Sequence, residues 1–286
     1  MNLDFNFEDR GRNKVALEMT AAIRKLNNAT KAYDEGNPII SDKEWDDLYF
    51  ELLALENHYD YRLKNSPTQV VYFNSVSELK KVTHNHAMLS LEKTKDLDDV
   101  RAFAGNKEIL AMCKMDGLTC SLTYKNGRLV AAETRGNGII GEDILHNAMV
   151  IPSIPKSITY KEDLVVDGEI ICTVYDFEKF ASIYKNPRNF AAGSIRLLDA
   201  RECAERDLTF VAWEVKQGYD VKFLNEKLDR LSFENFTVVP YESLVISFEQ
   251  CVENLKIDAD NLGYPIDGCV FKFNDVAYGD SLGATS

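Results

Sequence analysis

Lys114-Met115-Asp116-Gly117 separates two apolar runs, and the reading of those runs decides the fold. After it, Leu118, Cys120, Leu122 and Tyr124 alternate down to Asn126-Gly127, and Leu129-Val130-Ala131 follows. Alternation at period two, a favoured two-residue turn and a second apolar run predict a β-hairpin. A lysine beside an aspartate on such a turn is also a chemical arrangement. The amine can attack a phosphorus and hold a nucleotide as a phosphoramide. Lysine, aspartate and glycine meet on many surface turns, so the segment takes its meaning from its surroundings.

Outward from the hairpin, Leu164-Val165-Val166, Leu208 to Val215 and Cys269 to Phe273 read as further strands. Asp176 to Tyr184 and Ser247 to Leu255 read as helices. Upstream, residues 12–57 read as helical. Val15, Leu17, Ile23 and Leu26 form an imperfect stripe, and Asn37-Pro38 interrupts it. Ser41 or Asp42 can cap a second helix that carries Trp45, Leu48, Tyr49, Leu52 and Leu55 near helical spacing. A loop at Ser66-Pro67 leads into the strand-rich part. Strands and helices mixed without β-α-β alternation predict an α+β fold.

The 286 residues, 45% of them hydrophobic, suffice for one large or two smaller domains. The formal net charge is −13. A free-standing DNA-binding domain usually carries a basic footprint, so any grip on DNA is expected to be local or supplied by another module. Cysteines 113, 120, 172, 203, 251 and 269 include no C-x-x-C pair, so no structural zinc is expected. Without a leader segment or a long apolar run, the chain reads as soluble, intracellular and free of membranes, with reduced thiols. His84 and His86 form H-x-H, but no cysteine or acid stands at ligand spacing, and they read as a solvated loop.

Several ordered blocks accompany the lysine. They are Ile40-Ser41-Asp42-Lys43-Glu44-Trp45-Asp46, Ser66-Pro67-Thr68-Gln69, Met88-Leu89-Ser90-Leu91, and Thr134-Arg135-Gly136-Asn137-Gly138 with Gly141-Glu142-Asp143. Further on come Asn186-Pro187-Arg188-Asn189, then Ala191 to Asp199, and finally Ile266-Asp267-Gly268-Cys269-Val270-Phe271-Lys272. In this order and over most of positions 30 to 286 they resemble the NAD-dependent DNA ligases of bacteria and some viruses. That resemblance implies a small helical domain over residues 1–68 that captures nicotinamide mononucleotide. It implies a nucleotidyltransferase (ATP-grasp-like ligase) domain of antiparallel sheets and helices over residues 69–286. It also implies NAD and Mg2+ as cofactors, nicked DNA as the eventual partner, and a bacterial or virus-infected cytoplasm as the location. Pooled phosphate charge is what a divalent cation would offset.

Site roles follow from the same resemblance. Lys114 would be the nucleophile, and Asp116 would position the amine or a metal-bound water. Lys272 would stabilise charge developing at phosphorus. Neighbouring cations, with Lys272, Arg135 and Arg196 as candidates, would help free the lysine's lone pair. Arg135 and Glu169 would flank the nucleotide sugar and phosphate, and Arg188 and Arg196 offer planar forks for phosphate oxygens. Ser90 and Leu91 would line the adenosine side, Met112 stands at the adenine-reading position, and Asp267 would belong to the cofactor-binding set. Tyr33, Asp42, Trp45 and Asp46 would form the nicotinamide-nucleotide site, the aromatic stacking on a cationic ring. Trp45 also lies on the apolar stripe, and a place in the core would explain it equally well.

The blocks depart from the family at five places. Met112 stands where a glutamate reads the adenine, Asn137 replaces an aspartate, and Asp167 replaces an arginine. Ala259 stands where an arginine precedes the I-D-G strand, and Ala32 replaces an aromatic. The chain also stops before the strand that bears another pocket lysine in the family. The expectation is therefore a domain lacking its last strand, one that does not seal nicks efficiently alone, with a second ligase polypeptide as a possible partner. Two alternatives stay open: an ATP-dependent ligase or capping-type nucleotidyltransferase, and a non-catalytic nucleotide-binding subunit.

Overall fold

Met19, Ile23 and Leu26 recur at helical spacing, and helix α1 (Phe7–Asp34) buries them against Leu52 of α2 (Asp42–Tyr59). Val15, Leu48, Tyr49 and Leu55 close the edges of this small core. Leu17, expected on the stripe, is 71% exposed, and Met19 takes its place at the interface. Ser66 and Pro67 are buried after α2, and the hydroxyl of Thr68 donates to the buried Glu56. The computed structural model describes residues 7–34, 39–40, 42–59, 61, 63, 66–68, 78–84, 94, 96–136, 140–243 and 247–282. Of the two candidate caps for α2, Ser41 lies outside these, and so does the side chain of Asp42. The helices belong to one compact unit, Met1–Asn74; a second unit comprises Ser75–Ser286.

The second unit runs β1 (Lys81–Thr83), α3 (Leu97–Ala104), β2 (Ile109–Met115), β3 (Leu118–Lys125), β4 (Arg128–Thr134), β5 (Ile140–Glu142) and α4 (Leu145–Ala148). It continues with β6 (Leu164–Cys172), α5 (Val174–Phe177), α6 (Pro187–Ser194), α7 (Ala200–Ala204), β7 (Leu208–Gln217) and α8 (Leu224–Phe233). Last come β8 (Tyr241–Ser243), α9 (Phe248–Leu262), β9 (Ile266–Phe273) and α10 (Val276–Ser281). Three antiparallel sheets result, ordered β4-β3-β6-β7, β8-β2-β9 and β1-β5. The hairpin expected at Asn126-Gly127 joins β3 to β4. The helix expected over Asp176 to Tyr184 is shorter, with α5 followed by a 3₁₀ turn, Glu178–Phe180. The one expected from Ser247 runs further, to Leu262, because Cys251, Leu255 and Ala259 keep one face buried.

Strands β2 and β6 are the centres of their sheets, and both are covered on both faces. Every residue of β2 is buried except Lys114, and every residue of β6 except Glu169. Gly117 lets the chain pass from β2 into the other sheet. A Cβ there would stand 2.2 Å from the carbonyl oxygen of Ile170 and 2.8 Å from a methyl of Ile171. No side chain fits that approach.

Candidate active site

Lys114 and Lys272 lie on the same face of the β8-β2-β9 sheet. Lys114 pairs across the ladder with Gly268 and Lys272 with Leu110, so four ladder positions separate them. That is roughly 13 Å at the usual rise per residue. Met112 and Val270 face each other between the two lysines. Met112 is 1% exposed, within the core, and offers no acceptor to an amine.

Each of four expected site cations holds a carboxylate. The amine of Lys114 donates to both oxygens of Asp267, at 2.6 and 2.7 Å. Arg188 Nη1 meets Asp116 Oδ1 at 3.2 Å, and Arg196 Nε meets Glu142 Oε2 at 2.6 Å. Lys272 Nζ lies 2.8 Å from Glu214 Oε2 and 5.1 Å from the centre of the Trp213 ring. The group that grips the amine of Lys114 is a carboxylate, not one of the expected cations. Lys272 and Arg196 are themselves engaged by acids, and Asp116 turns to Arg188. Each of these cations is thus held in place by an acid.

Local rules explain where these side chains stand. Asn186 caps α6 by accepting from the amide of Asn189 at 2.8 Å, and Pro187 occupies the first turn. Arg188 follows immediately and projects from the helix start beside Asp116. Asn147 of α4 donates to the carbonyls of Ile195 and Leu197, both at 2.7 Å, and so fixes the backbone on either side of Arg196. Lys272 and Glu214 join β9 of one sheet to β7 of the other.

Glu169 is the centre of the opposite wall. Burial pushes its carboxyl up to about 7, against the pull of a Thr119 hydrogen bond and of Arg188 and Lys114, while Asp116 adds to the rise. Residues of both sheets and of α6 therefore converge on one carboxyl. A neutral carboxyl can donate as well as accept, which suits a sugar hydroxyl. For Glu214, burial works against ionisation, but the ammonium groups of Lys272 and Lys216 overturn it and hold the acid down at about 2. The amide of Arg135 donates to the carbonyl of Thr119 at 3.0 Å, which puts Arg135 one strand away from Glu169 on the same row.

Other expected residues are not placed. Ser90, Leu91, Asn137 and His86 lie outside the described residues, as do the side chains of Ala32, Tyr33, Asp42, Trp45 and Asp46. Ala259 is fully buried on the inner face of α9. His84 is a correction: its side chain is 1% exposed rather than solvated, and it bonds Glu133 and the carbonyl of Arg135. Sequence reasoning also passed over Thr119, Asn147 and Glu214, and it quoted Glu142 within a block without giving it a role. Glu214 alone left a signal, as a single acid in the apolar run from Phe210 to Val215. Among the described residues no three His, Cys, Asp or Glu side chains converge to hold a metal ion, and no helix is long and apolar enough to cross a membrane.

Antiparallel sheets and helices close around a lysine, and the family this arrangement matches is a nucleotidyltransferase one. Residues 76–286 match the NAD-dependent DNA ligase adenylation domain, and residues 12–72 match the DNA ligase-like, N-terminal NAD+-binding domain. The chain belongs to the NAD-dependent DNA ligase adenylation domain family. The DNA ligase of Lachnoclostridium phytofermentans is 39% identical over 282 residues, which cover 94% of this chain and 43% of that protein. That of Ruminiclostridium cellulolyticum is 37% identical over 280 residues, with the same coverage of both. The chain thus spans less than half the length of these relatives. The ligase domain from M. tuberculosis LigD is 15% identical, with a TM-score of 0.42, over 67% of this chain and 55% of that one.

Proposed function

We propose that this chain performs the adenylation half-reaction of an NAD-dependent DNA ligase. Lys114 Nζ forms a bond to the adenylyl phosphorus of NAD+, the bond from that phosphorus to the bridging oxygen breaks, and nicotinamide mononucleotide leaves with the electron pair. The amine loses a proton, and AMP stays on the lysine. One observation carries the reading: Lys114 and Glu169 are the only residues not buried in two otherwise buried central strands, and they face the same group of charges.

In this reading Asp267 holds the amine until the substrate is seated. Arg188 and Lys272 exchange their carboxylates for phosphate oxygens, and Glu169 binds the sugar with Arg135 beside it. Arg196 binds phosphate from the loop that Asn147 clamps. Ser90, Leu91 and Met112 form the adenosine side. Tyr33, Asp42, Trp45 and Asp46 of the helical unit take the nicotinamide nucleotide. The described residues do not supply a protein-only magnesium cage. Magnesium usually needs only one or two carboxylates beside substrate phosphates and water, and Asp116 suits that role; when bound, the ion neutralises phosphate charge. Transfer of AMP to the 5′-phosphate of nicked DNA, and sealing, belong to the whole ligase, whether its remaining modules lie on the same or a second polypeptide.

The test is donor choice. The purified chain is incubated with magnesium and with NAD+ or ATP labelled in the adenylate. Label should enter the protein from NAD+ and not from ATP, and deleting residues 1–68 should abolish labelling by NAD+. Equal labelling from ATP, or unchanged labelling after the deletion, contradicts the reading.

A further inference from the structure

His84 stands where three strands meet. It follows β1 directly, and β1 pairs with β5 in the register Lys81 to Glu142 and Thr83 to Ile140. Its Nδ1 lies 2.9 Å from Glu133 Oε2 on β4, and its Nε2 lies 3.0 Å from the carbonyl oxygen of Arg135, just past the end of β4. A carbonyl can only accept, so Nε2 carries the hydrogen and donates it to Arg135. The ring is almost wholly buried, with 1% of the side chain exposed. A polar ring is buried only where its hydrogen bonds are made, and here both ring nitrogens have a partner.

The surrounding backbone is shaped to receive the ring. A Cβ on Gly141 would stand 2.7 Å from His84 Cε1 and 2.9 Å from His84 Nε2. On its other side the same Cβ would stand 1.9 Å from the carbonyl oxygen of Thr134. Arg135 is the first residue after β4, and His84 holds it. The amide of Arg135 is bound to Thr119 and its carbonyl to His84, so both sides of its peptide are held. Thr119 in turn pairs with Glu169 across the β3–β6 ladder.

We infer that His84 is a positioning residue for nucleotide binding: its Nε2–H fixes the Arg135 backbone, and so aims the Arg135 guanidinium at the adenylate of NAD+. This rests on the assignment of Arg135 to the nucleotide in the proposed function. His84 itself touches no substrate. Its influence passes through one hydrogen bond, so it can be mimicked.

Glutamine and asparagine separate the two contacts. The amide nitrogen of glutamine reaches the place of Nε2, and that of asparagine the place of Nδ1. The full chain is compared as wild type, His84→Gln, His84→Asn, Arg135→Ala and the His84→Asn/Arg135→Ala double variant. The readouts are thermal melting and the rate and KM of AMP incorporation from NAD+. His84→Gln should stay within about twofold of wild type, and His84→Asn should lose about tenfold in rate over KM, the scale of one buried hydrogen bond. The double variant should be no worse than Arg135→Ala, because both changes act on one group. Equal losses in His84→Gln and His84→Asn, additive losses in the double variant, or failure of both single His84 variants to fold would overturn the inference and leave His84 a purely structural residue. A wild-type chain that takes up no AMP at all would instead remove the proposed function beneath it.

Discussion

The amine of Lys114 is held between the two carboxylate oxygens of Asp267, at 2.6 and 2.7 Å. The contact is made across the β2–β9 ladder, where Lys114 pairs with Gly268, and the register slips between Lys114 and Met115. That irregularity lies at the proposed nucleophile itself. The amine is thereby aimed from a rigid strand rather than from a mobile loop, and a misplacement of about 1 Å can cost about a hundredfold in rate. Asp267→Ala should therefore lower the rate of AMP incorporation by about ten- to a hundredfold with little change in KM for NAD+. Single-turnover kinetics would check this, and an unchanged rate would show that Asp267 does not position the amine.

Arg188 should separate binding from stability. Its guanidinium is 58% exposed and Asp116 31%, so the pair is a surface one, worth about 1 kcal/mol or less. Arg188→Ala should leave denaturant unfolding nearly unchanged yet raise KM for NAD+ about tenfold, the cost of one charge-assisted contact. Arg188→Lys should restore only part, since an ammonium cannot form the planar fork. A large loss of stability with KM unaltered would make Arg188 structural.

The sequence disclosed the parts governed by local rules. The alternation from Leu118 to Tyr124 and the Asn126-Gly127 turn prescribe β3 and β4. The cap at Asn186 with Pro187 behind it follows the same local rules, yet as the start of α6 it went unread. Pairings between distant strands were not legible. Lys272 meets Glu214 because two sheets face each other, and nothing within five residues of either announces it. His84 looked solvated for the same reason: its burial comes from β4 and β5, not from its neighbours in the chain. The stripe on α1 was misphased at Leu17 because a single helix shows which residues are apolar, not which partner they meet.

Glu169 makes stability depend on pH. Its carboxyl is pushed up to about 7 by burial, from an ordinary value of 4.5. The folded state therefore holds a proton that the unfolded state has released, and stability falls as pH rises from about 4.5 to about 7, then levels off. Glu169→Gln should remove this fall and leave the variant more stable than wild type above pH 7, by up to about 3 kcal/mol. Urea unfolding between pH 4 and pH 8 would check it. Parallel profiles for the two proteins would contradict the account.

Glu214 works in the opposite sense. Burial disfavours its charge, but Lys272 and Lys216 hold the acid down at about 2. Its contribution is present above the ordinary carboxylate range and is lost as pH falls toward about 2. Glu214→Gln leaves two ammonium groups facing an amide and should cost about 3 kcal/mol near neutral pH. The deficit should shrink on acidification, as the wild-type carboxylate is itself protonated. A constant deficit down to pH 2 would show that shape, not charge, is what Glu214 provides.

The central claim is that AMP is carried by Lys114. The chain is incubated with NAD+ and magnesium, its intact mass is measured, and the modified peptide is sequenced by fragmentation. The account predicts a gain of one adenylyl group, located on the lysine of Lys114-Met115-Asp116-Gly117 and absent from Lys114→Ala and Lys114→Arg. An adenylyl group on any other residue, or one that persists in Lys114→Ala, would contradict it.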